Sequence, residues 1–116
     1  MKTGPVIAFA TRNHEQPALE VRINFGILAG REATAAEIDD LAAALLPLVG
    51  DVSIVSEERH EIGEGSEAVL HQVRVEVAAD RVPADEAELD SLEQRLIEEA
   101  VRWTDTCVAQ RHVGLG

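Results

Sequence analysis

Apolar and polar residues alternate strictly through "ALEVRINFGI". Leu19, Val21, Ile23, Phe25 and Ile27 share one parity, and Glu20, Arg22 and Asn24 share the other. A period of two predicts a strand with one buried face. The preceding "PVIAFAT" reads as a short strand, and the polar "RNHEQP", closed by Pro17, supplies turn chemistry between them. The pair predicts a hairpin with a loop longer than the tight two-residue type.

The period then changes. "LAGREA" breaks the alternation, and Thr34-Ala35-Ala36-Glu37 has the form of a capping box, in which hydroxyl and carboxylate each satisfy the other residue's backbone N–H. A helix is expected from about residue 35, with Ile38, Leu41, Ala42, Leu45 and Val49 on one stripe. Pro47 disfavours helical geometry at Leu46, so this helix is expected to stop or kink there.

Alternation returns in "DVSIVSEERHEI" and "EAVLHQVRVEVA", joined by Gly63-Glu64-Gly65-Ser66, which is the pattern of a hairpin. A four-residue loop places Ile62 opposite Glu67, His60 opposite Val69 and Glu58 opposite His71. Matching of the apolar faces requires such a register. The last element is a helix expected over residues 84–111. Pro83 suits its first turn, and Asp85, Glu86 and Glu88 suit the positive end of its dipole. Leu89, Leu92, Leu96, Ala100, Trp103 and Cys107 form one stripe. Ile97, Val101, Thr104 and Val108 form a second, rotated by about 100°. "HVGLG", residues 112–116, is expected to fray.

The element order ββαββα predicts one α+β domain over residues 1–116. A right-handed crossover between the second and third strands, with the fourth slotted between them, is a split βαβ unit. The expected sheet is four-stranded and mainly antiparallel, in the order 1-2-4-3, with both helices on one face. The N-terminal strand takes the edge that the last strand fills in ferredoxin-like folds, so the arrangement is a circular permutation of that order. This rests on element order alone, and the fold hosts many functions.

Composition narrows the classes of function. Phe9, Phe25 and Trp103 are the only aromatic residues, so the core must be aliphatic. A net charge of −12 and the lack of stacking platforms argue against nucleic acid and against anionic membranes. The charge suits solubility or a basic partner. Cys107 is the one cysteine, which excludes an intrachain disulfide and fits a reducing cytoplasm. No apolar run approaches the ~20 residues of a membrane helix, and the N-terminus lacks a signal-peptide pattern. Basic residues are Arg except for Lys2, a bias expected of a GC-rich bacterial source.

Candidate chemistry gathers at the second hairpin. Glu58, His60 and His71 fall on the inward face, just past its aliphatic part. The topology brings Gly26, Gly30 and Arg31 to the same end, together with Cys107, Arg111 and His112. A carboxylate opposite an imidazole in a partly apolar place can tune a general base or ligate a metal. The plainer reading is a hairpin end where the core meets water. There is no HExxH or paired CxxC, "GILAGR" is no phosphate loop, and "GEGS" is neither a dinucleotide fingerprint nor a nucleophile elbow. Neither a metal nor a cofactor is expected. Cys107 reads as a small buried hydrophobe, and His14 as a solvated loop residue at the opposite end of the sheet. The outward face carries Glu20, Arg22, Asn24, Glu57, Arg59, Glu61, Gln72, Arg74 and Glu76, either as solvated charge pairs or as a platform for a partner.

Ile97, Val101 and Val108 need cover, from the first helix or from a second subunit. The leading expectation is a non-catalytic association domain that forms a homodimer and engages another protein. The alternative is a small-molecule-handling or enzyme-like domain using Glu58, His60 and His71 with Arg31, Arg111 and His112. A third reading combines the two, with a ligand sensed at a subunit interface.

Overall fold

A computed structural model describes residues 7–13, 18–63 and 65–115, and the side-chain surroundings of all of these except residues 59, 61, 66–70 and 110–115. Four strands form one sheet: β1 (Ala8–Arg12), β2 (Leu19–Ile23), β3 (Ser53–Gly63) and β4 (Ser66–Val77). The spatial order is β1-β2-β4-β3, with every neighbouring pair antiparallel. β2 and β3 therefore run parallel with β4 between them, the split arrangement expected from element order. The architecture is α+β and is compatible with a permuted ferredoxin-like fold.

Two main helices cover one face: α2 (Ala35–Val49) and α3 (Glu86–Leu115). The buried residues show why that face is chosen. Leu19, Val21 and Ile23 of β2 and Val73, Val75 and Val77 of β4 meet Leu41, Leu45 and Val49 of α2 and Leu92, Leu96, Ala100, Trp103 and Cys107 of α3 in a single core. Each set has the parity or stripe read from the sequence. Burying one such aliphatic side chain contributes about 1.5–3 kcal/mol, so the core supplies most of the driving force.

The helix starts follow local chemistry. Thr34 Oγ1 accepts from the Glu37 N–H at 3.2 Å, and Glu37 Oε1 accepts from the Thr34 N–H at 2.9 Å, completing the capping box. Ahead of α3, Asp85 Oδ2 accepts from the Glu88 N–H at 3.0 Å. A short 3₁₀ turn, Ala79–Arg81, precedes it.

Three local expectations are corrected. α2 does not stop at Leu46 but continues through Pro47 to Val49. Pro47 lies in the last turn, where only one backbone bond is forfeited, and continuing buries Val49 in line with Leu41 and Leu45. The hairpin pairs as far as Gly63 with Ser66, so its connection is tighter than four residues, while the expected register of Ile62, His60 and Glu58 is the one observed. Finally, β2 ends at Ile23. Phe25 to Ala29 form a short helix, α1, where alternation predicted continued strand. The turn buries Phe25 and Ala29, four residues apart, and leaves Ile27 exposed. Gly30 closes α1 in the left-handed region at φ 72°, a conformation that suits glycine.

Candidate functional site

β2 pairs with β4 only over Val73–Val77, whereas β3 pairs with it along its whole length. The distal half of the β3–β4 hairpin therefore projects past β2. Glu58 and His60 lie on this projection and are exposed, and Ile62 is 79% exposed. Glu58 and His71 are cross-strand partners, as read from the sequence. His71 is half-buried because α1 packs on it. A Cβ built on Gly26 would stand 2.9 Å from the Cβ, N and O of His71, so only glycine lets α1 approach β4 this closely. Beneath α1 the Nδ1 of His71 is buried and has no hydrogen-bond partner among the described residues.

Arg31 goes elsewhere. Its guanidinium grips the Glu37 carboxylate with two bonds of 2.8 Å, and its Cζ lies 5.4 Å from the centroid of the Phe25 ring. Phe25 in turn packs on Trp103, with centroids 5.1 Å apart, and the Trp103 indole N–H donates to the Glu37 carbonyl at 2.7 Å. This cluster ties the start of α2 to α1 and to the second half of α3. The Arg31 pair holds the Glu37 carboxyl down at about 2, despite the opposing effect of burial; the Thr34 N–H and the Cys107 thiol also favour the anion. Burial, followed by the charge of Glu37, pushes the Cys107 thiol up to about 12. A nucleophilic thiolate needs the opposite environment, cationic and exposed. The cluster is thus a folded-state clamp with no poised nucleophile in it.

Arg111 and His112 fall in the last turns of α3, but their side chains lie outside the described residues, as does His14 altogether. Among the described residues no group of three or more His, Cys, Asp or Glu side chains could hold a metal ion. No helix among them is long and apolar enough to cross a membrane.

The outward sheet face is a charge lattice. β-Pairing sets Arg22 opposite Arg74 and Glu20 opposite Glu76, two like-charged contacts that would destabilise the sheet if left alone. Glu57 of β3 resolves one of them by reaching both arginines, at 3.2 Å and 3.5 Å. Glu20 and Glu76 complete the lattice at 3.2 Å and 3.1 Å. Gln72, only 5% exposed, donates to Asn24 at 2.7 Å. A second network was not legible from sequence. Arg12 of β1 is bound by Glu86, Asp90 and Glu93 on the first turns of α3, at 2.6, 2.5 and 2.6 Å. These hydrogen bonds raise the Arg12 guanidinium above its ordinary value and fasten the edge strand to the helix.

Ile97, Val101 and Val108 are half-buried and pack against the core with their inner sides. Ile97 and Val101 also line a shallow groove on the free side of α3, with Gln94, Glu98, Arg102, Asp105, Thr106 and Ala109. Comparison with known proteins finds no matching family model, no matching curated protein and no matching solved structure.

Proposed function

We propose that this chain is a non-catalytic, cytoplasmic association domain that works as a homodimer. The observation that carries the reading is the groove on α3. It exposes parts of Ile97 and Val101 on the side of the helix facing away from the sheet, beside charges of both signs. Ile97 and Val101 stand one turn apart on that side, so their free area forms one apolar strip. The buried, strongly protonated Cys107 and the clamped Arg31 also favour binding over chemistry. Sedimentation equilibrium of the intact chain tests the reading. A dimer that dissociates on Val101→Glu, with far-UV circular dichroism unchanged, is the expected result. A monomer at high micromolar concentration would remove it.

One observation favours a second reading, a small-molecule site at the hairpin: the buried Nδ1 of His71 beneath α1, which has no hydrogen-bond partner among the described residues. NMR titration of the histidine rings with Zn²⁺ and with inorganic phosphate addresses it. His71 resonances indifferent to both would end that reading.

A further inference from the structure

We infer that the outer edge of β3 takes up an extended, basic segment of another protein as a fifth strand. The inference is independent of the homodimer reading, which concerns α3. β3 is the outermost strand on its side of the sheet and is 11 residues long, against 5 for β1 on the opposite side. Its register shows which groups face outward. Gly63 pairs with Ser66 across a two-residue connection, so the two exchange both of their backbone hydrogen bonds. Such an exchange recurs at every second residue, so Glu61, Arg59, Glu57 and Val55 also bond to β4. Their neighbours Ile54, Ser56, Glu58 and Ile62 turn N–H and C=O away from it. The same alternation, carried across the sheet, aims the Asn24 N–H toward the first strand, where it donates to the Ile7 carbonyl at 2.8 Å. Among the described residues no strand lies beyond β3 to receive its outward groups. A row of such groups is a template for a further strand.

Charge selects the occupant. Glu57, Glu58 and Glu61 outnumber Arg59 along this strand, Asp51 precedes it, and the chain carries −12. Glu58 is exposed and has no ion-pair partner among the described residues. A second copy is the wrong occupant. Two β3 strands paired antiparallel about a two-fold axis set their central residue against itself. The best-overlapped registers are centred on Glu57, Glu58 or Arg59, and each therefore holds a like-charged contact at its middle. An acidic segment meets the same carboxylates. A segment with lysine or arginine at alternate positions brings a cation opposite Glu58 or, turned over, opposite Glu57 and Glu61, and opposite charges across paired strands stabilise them. Its intervening apolar residues have Ile54 and the exposed Ile62 beside them. Ser56, Glu58 and Ile62 are all exposed, so side chains of an added strand meet no obstruction there.

The probe is a fluorescein-labelled peptide of alternating lysine and valine, about nine residues long to span residues 54–62. Its control carries glutamate in place of lysine, and both are read by anisotropy with the intact chain. The lysine peptide binds, and the glutamate peptide binds roughly tenfold more weakly. At about ten times its Kd the lysine peptide slows amide exchange at Ser56 and Glu58 roughly tenfold, since protection grows as one plus the ratio of free ligand to Kd. Ser56→Pro removes one outward N–H and leaves the ladder to β4 intact, the one placement in which an edge strand accepts proline. It weakens the lysine peptide roughly tenfold. Glu58→Lys weakens it roughly fivefold and tightens the glutamate peptide, with far-UV circular dichroism unchanged, and this variant keeps the test decisive should Ser56→Pro not fold. Three results overturn the inference: no binding of the lysine peptide, equal binding of the glutamate peptide, or protection of the acidic first turns of α3 while Ser56 and Glu58 exchange as before. None of the three touches the homodimer reading, which sedimentation tests separately.

Discussion

Glu37 has three jobs in one side chain. It closes the capping box, binds Arg31 and faces the Cys107 thiol. Its folded value of about 2 lies below the ordinary 4.5, so its contribution is complete above about pH 4.5 and drains away as pH falls toward 2. Glu37→Gln keeps the amide cap acceptor and loses the ion pair. A loss of about 1–3 kcal/mol at pH 7 is expected, measured as a lower urea midpoint, and the gap from the parent chain should shrink as both are taken to pH 3. Cys107 moves the other way. With its thiol held near 12, it stays protonated through the neutral range, and its sulfur is buried. Ellman's reagent at pH 8 should leave the folded chain unmodified and react fully in urea; rapid labelling of the folded chain would mean that α3 opens at this turn. The capping box itself was readable from four adjacent residues. The Arg31–Glu37–Cys107 cluster was not, because its third member lies 70 positions further along the chain and nothing in a linear pattern reports that closeness.

At the scale of elements, what periodicity conveys is which face is buried. It foretold the hairpin register and the inner stripe of α3, since each depends on parity or helical spacing repeated over many residues, whereas the order of the four strands followed from element order and crossover handedness. It failed at α1 for a specific reason. Leu19, Val21, Ile23, Phe25 and Ile27 keep perfect alternation, yet strand pairing with β1 ends at Ile23. A helical turn then buries Phe25 and Ala29 together, which extended chain cannot do. Gly26 is the residue that allows it. In an isolated helix Gly→Ala is stabilising by about 1 kcal/mol. Here the added methyl group meets the His71 backbone at 2.9 Å, which cannot give way without moving β4. Gly26→Ala should therefore destabilise, by about 1–3 kcal/mol, opposite in sign to its helix propensity; thermal denaturation decides between the two. The candidate site was legible only in part for a related reason. The Glu58–His71 juxtaposition follows from strand register, whereas the destination of Arg31 depends on α1, which alternation concealed.

For the whole molecule, charge opposes the proposed assembly. Two chains of −12 repel at a distance, and the repulsion is screened over about 10 Å at 0.1 M salt. The proposed dimer should accordingly tighten several-fold between about 20 and 150 mM NaCl, as measured by sedimentation. The length mismatch between β2 and the β3–β4 hairpin has a further consequence, in time instead of space. Val73, Val75 and Val77 sit under the helices and lose their amide hydrogen bonds only when the whole core opens. Glu58, His60 and Ile62 belong to the same ladder but have no layer above them. One continuous pair of strands should therefore exchange its amide hydrogens at two rates, slow and denaturant-sensitive at the root, fast and indifferent to denaturant at the projecting end. Quieting of that fast end by any added molecule would show which part of this chain meets its surroundings first.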